Sequence, residues 1–377
     1  MIIGVPKETH RHEHRVGLTP YAVRSLIANG HAVVVEQGAG AAARFSDREY
    51  EEAGAQVVYS SEEAYKRPDV VCRVGLLASE ELDLMKPGLA VCAFHHLSVA
   101  TRPLLERLRD LEITAIGYEL IADEQGHRPL LVPFSEMAGQ MAVYVAAHHL
   151  ENLAGGRGIL LGSVPGIAPP TVLILGAGTV GRTAARRAVA IGAHVIVLDE
   201  NLEKLRTLSA ELAGQVVTQM ATPDRLAQYT AIADVVIGAI LIPGARAPLL
   251  ITEDMVRKMR GGSVIVDVSI DQGGCVETSR PTNPDDPTFI VHDVVHYCVP
   301  NMTANVARTA SRALADAVQT HLRPLFDRGL PDALRSAPHL ATGVYLYRGT
   351  PVHEQLAAVL RTDAEPLSDL LEGGTDR

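Results

Sequence analysis

The chain has 377 residues, 47% hydrophobic and 21% charged, a composition typical of folded globular proteins. A net charge of −10, with no local cluster of Lys and Arg, excludes a nucleic-acid-binding surface. Apolar runs of about six to eight residues are too short to span a bilayer, and the length suits two domains. The first residues, Met1-Ile-Ile-Gly-Val-Pro-Lys-Glu8, read as a short strand and turn without the pattern of a secretory signal, so a cytoplasmic protein is expected. Cys72, Cys92, Cys275 and Cys298 are widely spaced, with no CxxC pair, and are expected to be free thiols.

In chain order, strands are expected near 2–5, 32–36, 69–74, 89–94 and 113–118, with helices between them such as Pro20 to Asn29 and Arg102 to Arg109. This alternation argues for a parallel sheet covered by helices. From Ser135 to Ala154 the pattern becomes one long helix, followed by a glycine-rich stretch over 155–166. Then comes Thr171-Val-Leu-Ile-Leu-Gly-Ala-Gly-Thr-Val-Gly-Arg182, ordered as strand, glycine turn and helix. A further strand, Ala193 to Leu198, ends in Asp199. This is a full dinucleotide-binding fingerprint. Gly176 permits the tight turn, Gly178 lets backbone approach a pyrophosphate, and Gly181 lets the helix pack against the strand. The helix N-terminus offers N–H groups to the phosphates. Asp199 stands where a carboxylate accepts ribose hydroxyls; Glu200 and Asn201 follow, with no Arg before Arg206, so NAD is favoured over NADP.

Later strands are expected at 194–198, 233–240, 263–269 and 289–294, a long helical run over Thr303 to Phe326, and a loosely ordered acidic tail after Ala364. Because the fingerprint falls mid-chain, the nucleotide domain reads as an insertion. The expected division is a substrate domain over 1–134 and 305–377, with a Rossmann NAD-binding domain over 135–304. The fold class expected is α/β, two doubly wound parallel-sheet domains with a cleft between them as the default place for chemistry.

Three residues could do that chemistry. Arg15, in the polar loop Glu13-His-Arg-Val-Gly-Leu-Thr-Pro20, either grips a substrate carboxylate with two parallel hydrogen bonds or makes a surface salt bridge. His96 closes the strand running to Phe94; it is either a proton-transfer group or a structural histidine. His95 beside it would point to the opposite face. Asp271, after Val264-Ile-Val-Asp-Val-Ser-Ile270 and before Gln272-Gly-Gly-Cys275, is either a carboxylate at the nicotinamide or a turn-initiating residue. Asp267, within the strand pattern, is the weaker choice. The alternating histidines of His10-Arg-His-Glu-His14 have no further ligand at fixed spacing, so no metal is expected.

Together these residues make the chain similar to the alanine dehydrogenases, which share a fold with the nucleotide-binding subunit of proton-translocating transhydrogenases. The likeness runs to about residue 350. It rests on Gly4-Val-Pro-Lys-Glu8, Arg15-Val-Gly-Leu-Thr-Pro20, Leu131 to Gly139 in part, Pro243-Gly-Ala-Arg-Ala-Pro248, Val266 to Cys275 and Tyr297-Cys-Val-Pro-Asn-Met302. The resemblance implies that Arg15 binds the substrate carboxylate, His96 is the acid/base and Asp271 the carboxylate beside the nicotinamide. It implies that Ser135, Gly176, Gly178, Thr179, Val180, Gly181, Asp199, Lys204, Leu241, Arg280, Asn301 and Met302 line NAD. The implied reaction passes a hydride from the α-carbon of L-alanine to NAD, with water releasing ammonia and pyruvate, and the implied assembly is a homo-oligomer, in the family often a hexamer.

One departure stands out. The family places a substrate-contacting lysine two residues after a basic residue of the third strand. In Val70-Val-Cys-Arg-Val-Gly-Leu-Leu77 the basic residue is Arg73 and the lysine is Gly75. Loss of such a cation costs ~2–4 kcal/mol of transition-state stabilisation, comparable to losing an oxyanion donor. Lys7, in the same lobe, is the residue considered as its replacement. Pro300, Thr303, Ala307 and Ala221 are smaller departures. The leading expectation is an NAD-dependent oxidoreductase of a small L-amino acid. The alternatives are another amine or imine substrate, a non-catalytic NAD-binding protein, or a transhydrogenase-like subunit, the last weakened because nucleotide-to-nucleotide transfer has no need of His96.

Overall fold

The computed structural model describes residues 1–97, 100–242 and 246–372. Its strands, in chain order, are β1 (Ile2–Val5), β2 (Ala32–Glu36), β3 (Gln56–Val58), β4 (Val70–Cys72), β5 (Ala90–Ala93), β6 (Thr114–Gly117), β7 (Thr171–Leu175) and β8 (His194–Asp199). They continue as β9 (Val217–Met220), β10 (Val235–Gly238), β11 (Val264–Asp267), β12 (Thr288–Val291), β13 (Val294–Tyr297), β14 (Val344–Tyr347) and β15 (Thr350–Pro351). The chain forms two compact units, Met1–Phe134 with Ala304–Arg377, and Ser135–Thr303. No helix among the described residues is long and apolar enough to cross a membrane.

The first unit holds an eight-stranded sheet in the order β15-β14-β6-β5-β4-β1-β2-β3. From β1 the chain builds outward through β2 and β3, then returns to the other side of β1 with β4, β5 and β6, all parallel. The reversal between β1 and β4 is a topological switch point, and ligands of such sheets sit beyond the carboxyl ends of the strands there. Strands β4, β5 and β6 are buried throughout, which is why they read as unbroken apolar runs instead of alternating ones. Two short strands near the C-terminus escape the sequence reading. β14 pairs with β6 antiparallel and β15 with β14, so this sheet is mixed at one edge.

The second unit has the order β12-β13-β11-β10-β7-β8-β9, parallel except for β12, with its switch point between β7 and β10. The single strand expected over 289–294 is a hairpin. His292 and Asp293 take left-handed φ values of 52° and 59°, the backbone of a tight two-residue turn, and Val291 pairs back onto Val294. The strand expected over 263–269 ends at Asp267, whose side chain accepts from the Ser269 N–H at 3.1 Å and turns the chain into a 3₁₀ segment, Val268–Gln272.

The long helices are also reset. The one expected from Ser135 to Ala154 is Val132–His149, and the run to Phe326 divides into Ala307–His321 and Arg323–Arg328. The tail expected to be loose forms a helix, Leu367–Glu372, with Leu371 buried and the Arg335 side chain donating to the Leu371 carbonyl at 2.5 Å. All four cysteines are buried free thiols.

Candidate active site

In the first unit the loops after β1, β4, β5 and β6 carry the polar residues. Arg15 is fixed there by its loop. A Cβ on Gly17 would lie 2.3 Å from the Cys72 carbonyl oxygen, so only glycine lets this loop press against the end of β4. The Val16 N–H donates to Ser311 Oγ at 3.0 Å, and Val16 and Leu18 are fully buried. Arg15 does not make the surface salt bridge that was one of its two readings. Its side chain is 3% exposed, donates to Glu13 from Nε at 2.7 Å and from Nη2 at 2.5 Å, and its guanidinium lies 5.3 Å from the centre of the Phe134 ring.

Arg73, at the end of β4, is equally buried, and both of its terminal nitrogens are bonded. It donates to Glu8 at 2.8 Å, to Tyr65 Oη at 3.0 Å and to the Leu76 carbonyl, and pairs with Glu81 at 2.7 Å. Burial works against its charge, but Glu8, Tyr65 and Glu81 outweigh burial and hold it above its ordinary pKa. It is a structural cation. Gly75 lies beside it, where a Cβ would meet Glu8 Oε2 at 3.4 Å and Glu13 Oε2 at 3.5 Å, ordinary contacts. Lys7 is exposed, with its backbone N–H on Glu36.

His96 follows β5 with a left-handed φ of 45°, a backbone rarely adopted by a residue with a side chain. Glu119, two residues beyond β6, holds it there. The buried carboxylate accepts the His96 N–H at 2.6 Å, the His95 N–H at 3.2 Å and the Tyr345 hydroxyl of β14 at 2.9 Å. Its Oε1 lies 4.0 Å from His96 Nδ1, while the imidazole itself is 49% exposed and lies against Phe94. Such strain held by dedicated partners is typical of functional positions. A Cβ on Gly117 would lie 2.5 Å from the Tyr345 ring, so that glycine makes room for the arrangement. His95, by contrast, is buried with Nε2 2.9 Å from the Val91 carbonyl, and burial pushes its pKa down. Of the two adjacent histidines only His96 faces out. Glu119 was missed in the sequence because nothing local marks it; the one available sign is its place at a strand's carboxyl end, like His96.

In the second unit the glycine fingerprint takes the expected form. Gly176 has φ 101°, and a Cβ there would meet the Ala239 carbonyl at 2.6 Å; one on Gly181 would lie 1.8 Å from the Gly176 carbonyl. Over Gly178 there is open space, with nothing within 4 Å of a Cβ, in front of the twelve-residue helix Thr179–Ala190. Thr179 and Val180 begin that helix. A pyrophosphate fits this cradle: room above the turn, N–H groups at the helix start, and the positive end of its dipole.

Asp199 ends β8 and is buried, its carboxylate accepting the Ala177 N–H at 2.6 Å and the Asn201 N–H at 2.7 Å. It thus ties the glycine turn to its own strand end. Asn201 caps the next helix through the Glu203 and Lys204 N–H groups. Leu241 is exposed past β10, and Met302 is buried past β13. Arg280 lies 4.3 Å over the Phe289 ring of β12. Ser135 is in the helix Val132–His149. Residues 243–245 of the Pro243–Pro248 motif lie outside the described residues.

Asp271 is exposed on the 3₁₀ segment and accepts the N–H of Asn301, itself at φ 53°, at 2.8 Å. Asp267, the weaker candidate, is a buried turn residue that accepts the Ser269 and Cys275 N–H groups. Burial pushes its carboxyl pKa up against those bonds. Among the described residues no three His, Cys, Asp or Glu side chains are grouped to hold a metal.

Two family models match this chain: the alanine dehydrogenase/PNT N-terminal domain over residues 4–138 and the C-terminal domain over residues 142–354. The chain belongs to the alanine dehydrogenase/PNT family. It is 42% identical to an alanine dehydrogenase of Mycobacterium tuberculosis over 98% of this chain and 100% of that one. A solved L-alanine dehydrogenase superimposes with a TM-score of 0.91 at 43% identity, covering 96% of this chain and 99% of that one. The transhydrogenase of Sinorhizobium meliloti gives a TM-score of 0.80 at 25% identity, over 94% and 99%. The family makes this chain an oxidoreductase that works with NAD.

Proposed function

We infer that this enzyme catalyses the NAD-dependent oxidative deamination of L-alanine to pyruvate and ammonia, and the reverse. Full-length likeness to alanine dehydrogenases carries this reading, and it is supported by Arg15, His96 and Asp271, all of which stand beyond strand carboxyl ends. Bound NAD supplies the hydride acceptor. In the second unit, Gly176, Gly178, Gly181, Thr179 and Val180 would hold the pyrophosphate, Asp199 the adenosine ribose, and Lys204 the adenosine end. Leu241, Asn301, Met302 and Asp271 would stand at the nicotinamide end, with Ser135 and Arg280 completing the lining.

Arg15 would bind the substrate carboxylate through charge-assisted hydrogen bonds. His96 would take a proton as water adds to the iminium carbon and return it as ammonia leaves, since its imidazole is exposed while its backbone is held by Glu119. Asp271 would orient the amino group. We further place the enzyme in the cytoplasm as a homo-oligomer, on the grounds of composition and family.

The test is NADH formation from NAD with L-alanine beside bulkier and charged amino acids. Strong turnover with alanine is expected; silence with alanine and turnover of another member would overturn the substrate. A second expectation follows from Asp199. Replacing it with Asn removes the charge from two short hydrogen bonds and from the ribose, so the KM for NAD should rise about tenfold or more while that for alanine holds. Equal KM values for NAD would show that the carboxylate serves only the turn.

A further inference from the structure

Arg15, the residue read above as the grip for the substrate carboxylate, already holds a carboxylate. Glu13 meets the Nε–Nη2 edge of its guanidinium with both oxygens, at 2.7 and 2.5 Å, and both side chains are 3% exposed. This paired, fork-on-fork geometry is the one by which arginine recognises a carboxylate ligand. Arg15 itself cannot step aside easily. Its loop is pinned by Gly17 against the Cys72 carbonyl and by Val16 on Ser311, and Phe134 lies against the guanidinium. Any exchange therefore has to come from the Glu13 side chain.

Gly75 adjoins Glu13. The missing Cβ of Gly75 points at Glu13 Oε2 and Cγ, 3.5 and 3.7 Å away, and at Glu8 Oε2. Glu8 is committed elsewhere, to the Val74 N–H at 2.6 Å and to Arg73 at 2.8 Å. We propose that Glu13 occupies the edge of Arg15 that the substrate carboxylate takes, and that substrate binds by displacing it from that edge. The inference rests on the reading of Arg15 as the substrate's partner. On this account Glu13 is a positioning residue that sets substrate affinity by competition, and Gly75 governs how readily it yields.

Two substitutions and a control test it. Glu13→Gln keeps the shape but removes the competing charge, so the KM for L-alanine and the Kd for propionate should each fall about three- to tenfold, with kcat and the KM for NAD little changed. Gly75→Val sets a larger side chain against Glu13, which a Cβ at 75 already touches, and should raise both alanine KM and propionate Kd. In the double variant the effect of Val should shrink, because the two residues act on one step. A Glu13→Gln enzyme with unchanged or raised KM would overturn the proposal. If that variant does not fold, Gly75→Val decides alone: a raised KM supports displacement and an unchanged one contradicts it. Arg15→Lys separates the two levels. If it leaves the alanine KM and propionate binding untouched, the reading of Arg15 is wrong; if it weakens both while Glu13→Gln and Gly75→Val do nothing, only the displacement is wrong.

Discussion

Replacing His96 with Ala should lower kcat by about 10²- to 10⁴-fold, the contribution of a positioned acid/base, while NADH binding followed by fluorescence stays as in the parent enzyme. The side chain is half exposed and touches the core only through the ring of Phe94, so the loss should appear mainly in turnover and little in stability. The left-handed backbone at His96 is held by hydrogen bonds from its own N–H and that of His95 to Glu119, neither of which uses the imidazole. Glu119→Gln is the companion variant. It weakens the acceptor that fixes this backbone and faces Nδ1, so kcat should fall by less, about tenfold, with the KM for NAD unchanged. Turnover of His96→Ala at the parent rate would remove His96 from the chemistry.

The second large effect separates fold from function at two glycines three residues apart. Gly181→Ala puts a Cβ 1.8 Å from the Gly176 carbonyl oxygen, backbone that cannot give way without opening the turn. Its cost should exceed the ~1–3 kcal/mol usual for overpacking, seen as a large fall in thermal midpoint together with loss of NAD binding. Gly178→Ala meets nothing within 4 Å and has a φ of −71° that alanine adopts freely. Its thermal midpoint without ligand should match the parent. The added methyl stands in the space a pyrophosphate needs, so NAD affinity should fall about tenfold or more. If Gly178→Ala binds NAD normally, the phosphates do not sit over this turn.

These two sites also show what a sequence can and cannot display. The glycine turn and the strands and helix around it were legible because their logic is local. Gly176 to Asp199 is one strand, one turn, one helix and one more strand, and each glycine answers a contact with a near neighbour in the chain. The His96 clamp is not local. Glu119 lies 23 residues from His96, and Tyr345, which donates to the same carboxylate, lies 226 residues from Glu119 on an antiparallel edge strand of four residues. No periodicity connects such positions. Arg15 failed in another way: its residue type pointed to a carboxylate partner, yet the loop gave no sign that Glu13, two places earlier, would be such a partner. The 289–294 segment was misread because a hairpin turn made of His292 and Asp293 lacks the glycine that usually announces one.

The most direct measurement follows a labelled hydrogen. Incubating the enzyme with NAD and L-alanine carrying deuterium at the α-carbon, and weighing the NADH formed, tests substrate, cofactor and reaction together. Deuterated NADH with pyruvate in equal amount is the predicted result. Unlabelled NADH, or pyruvate formed without NADH, would contradict hydride transfer from the α-carbon of alanine and with it the central account of this enzyme.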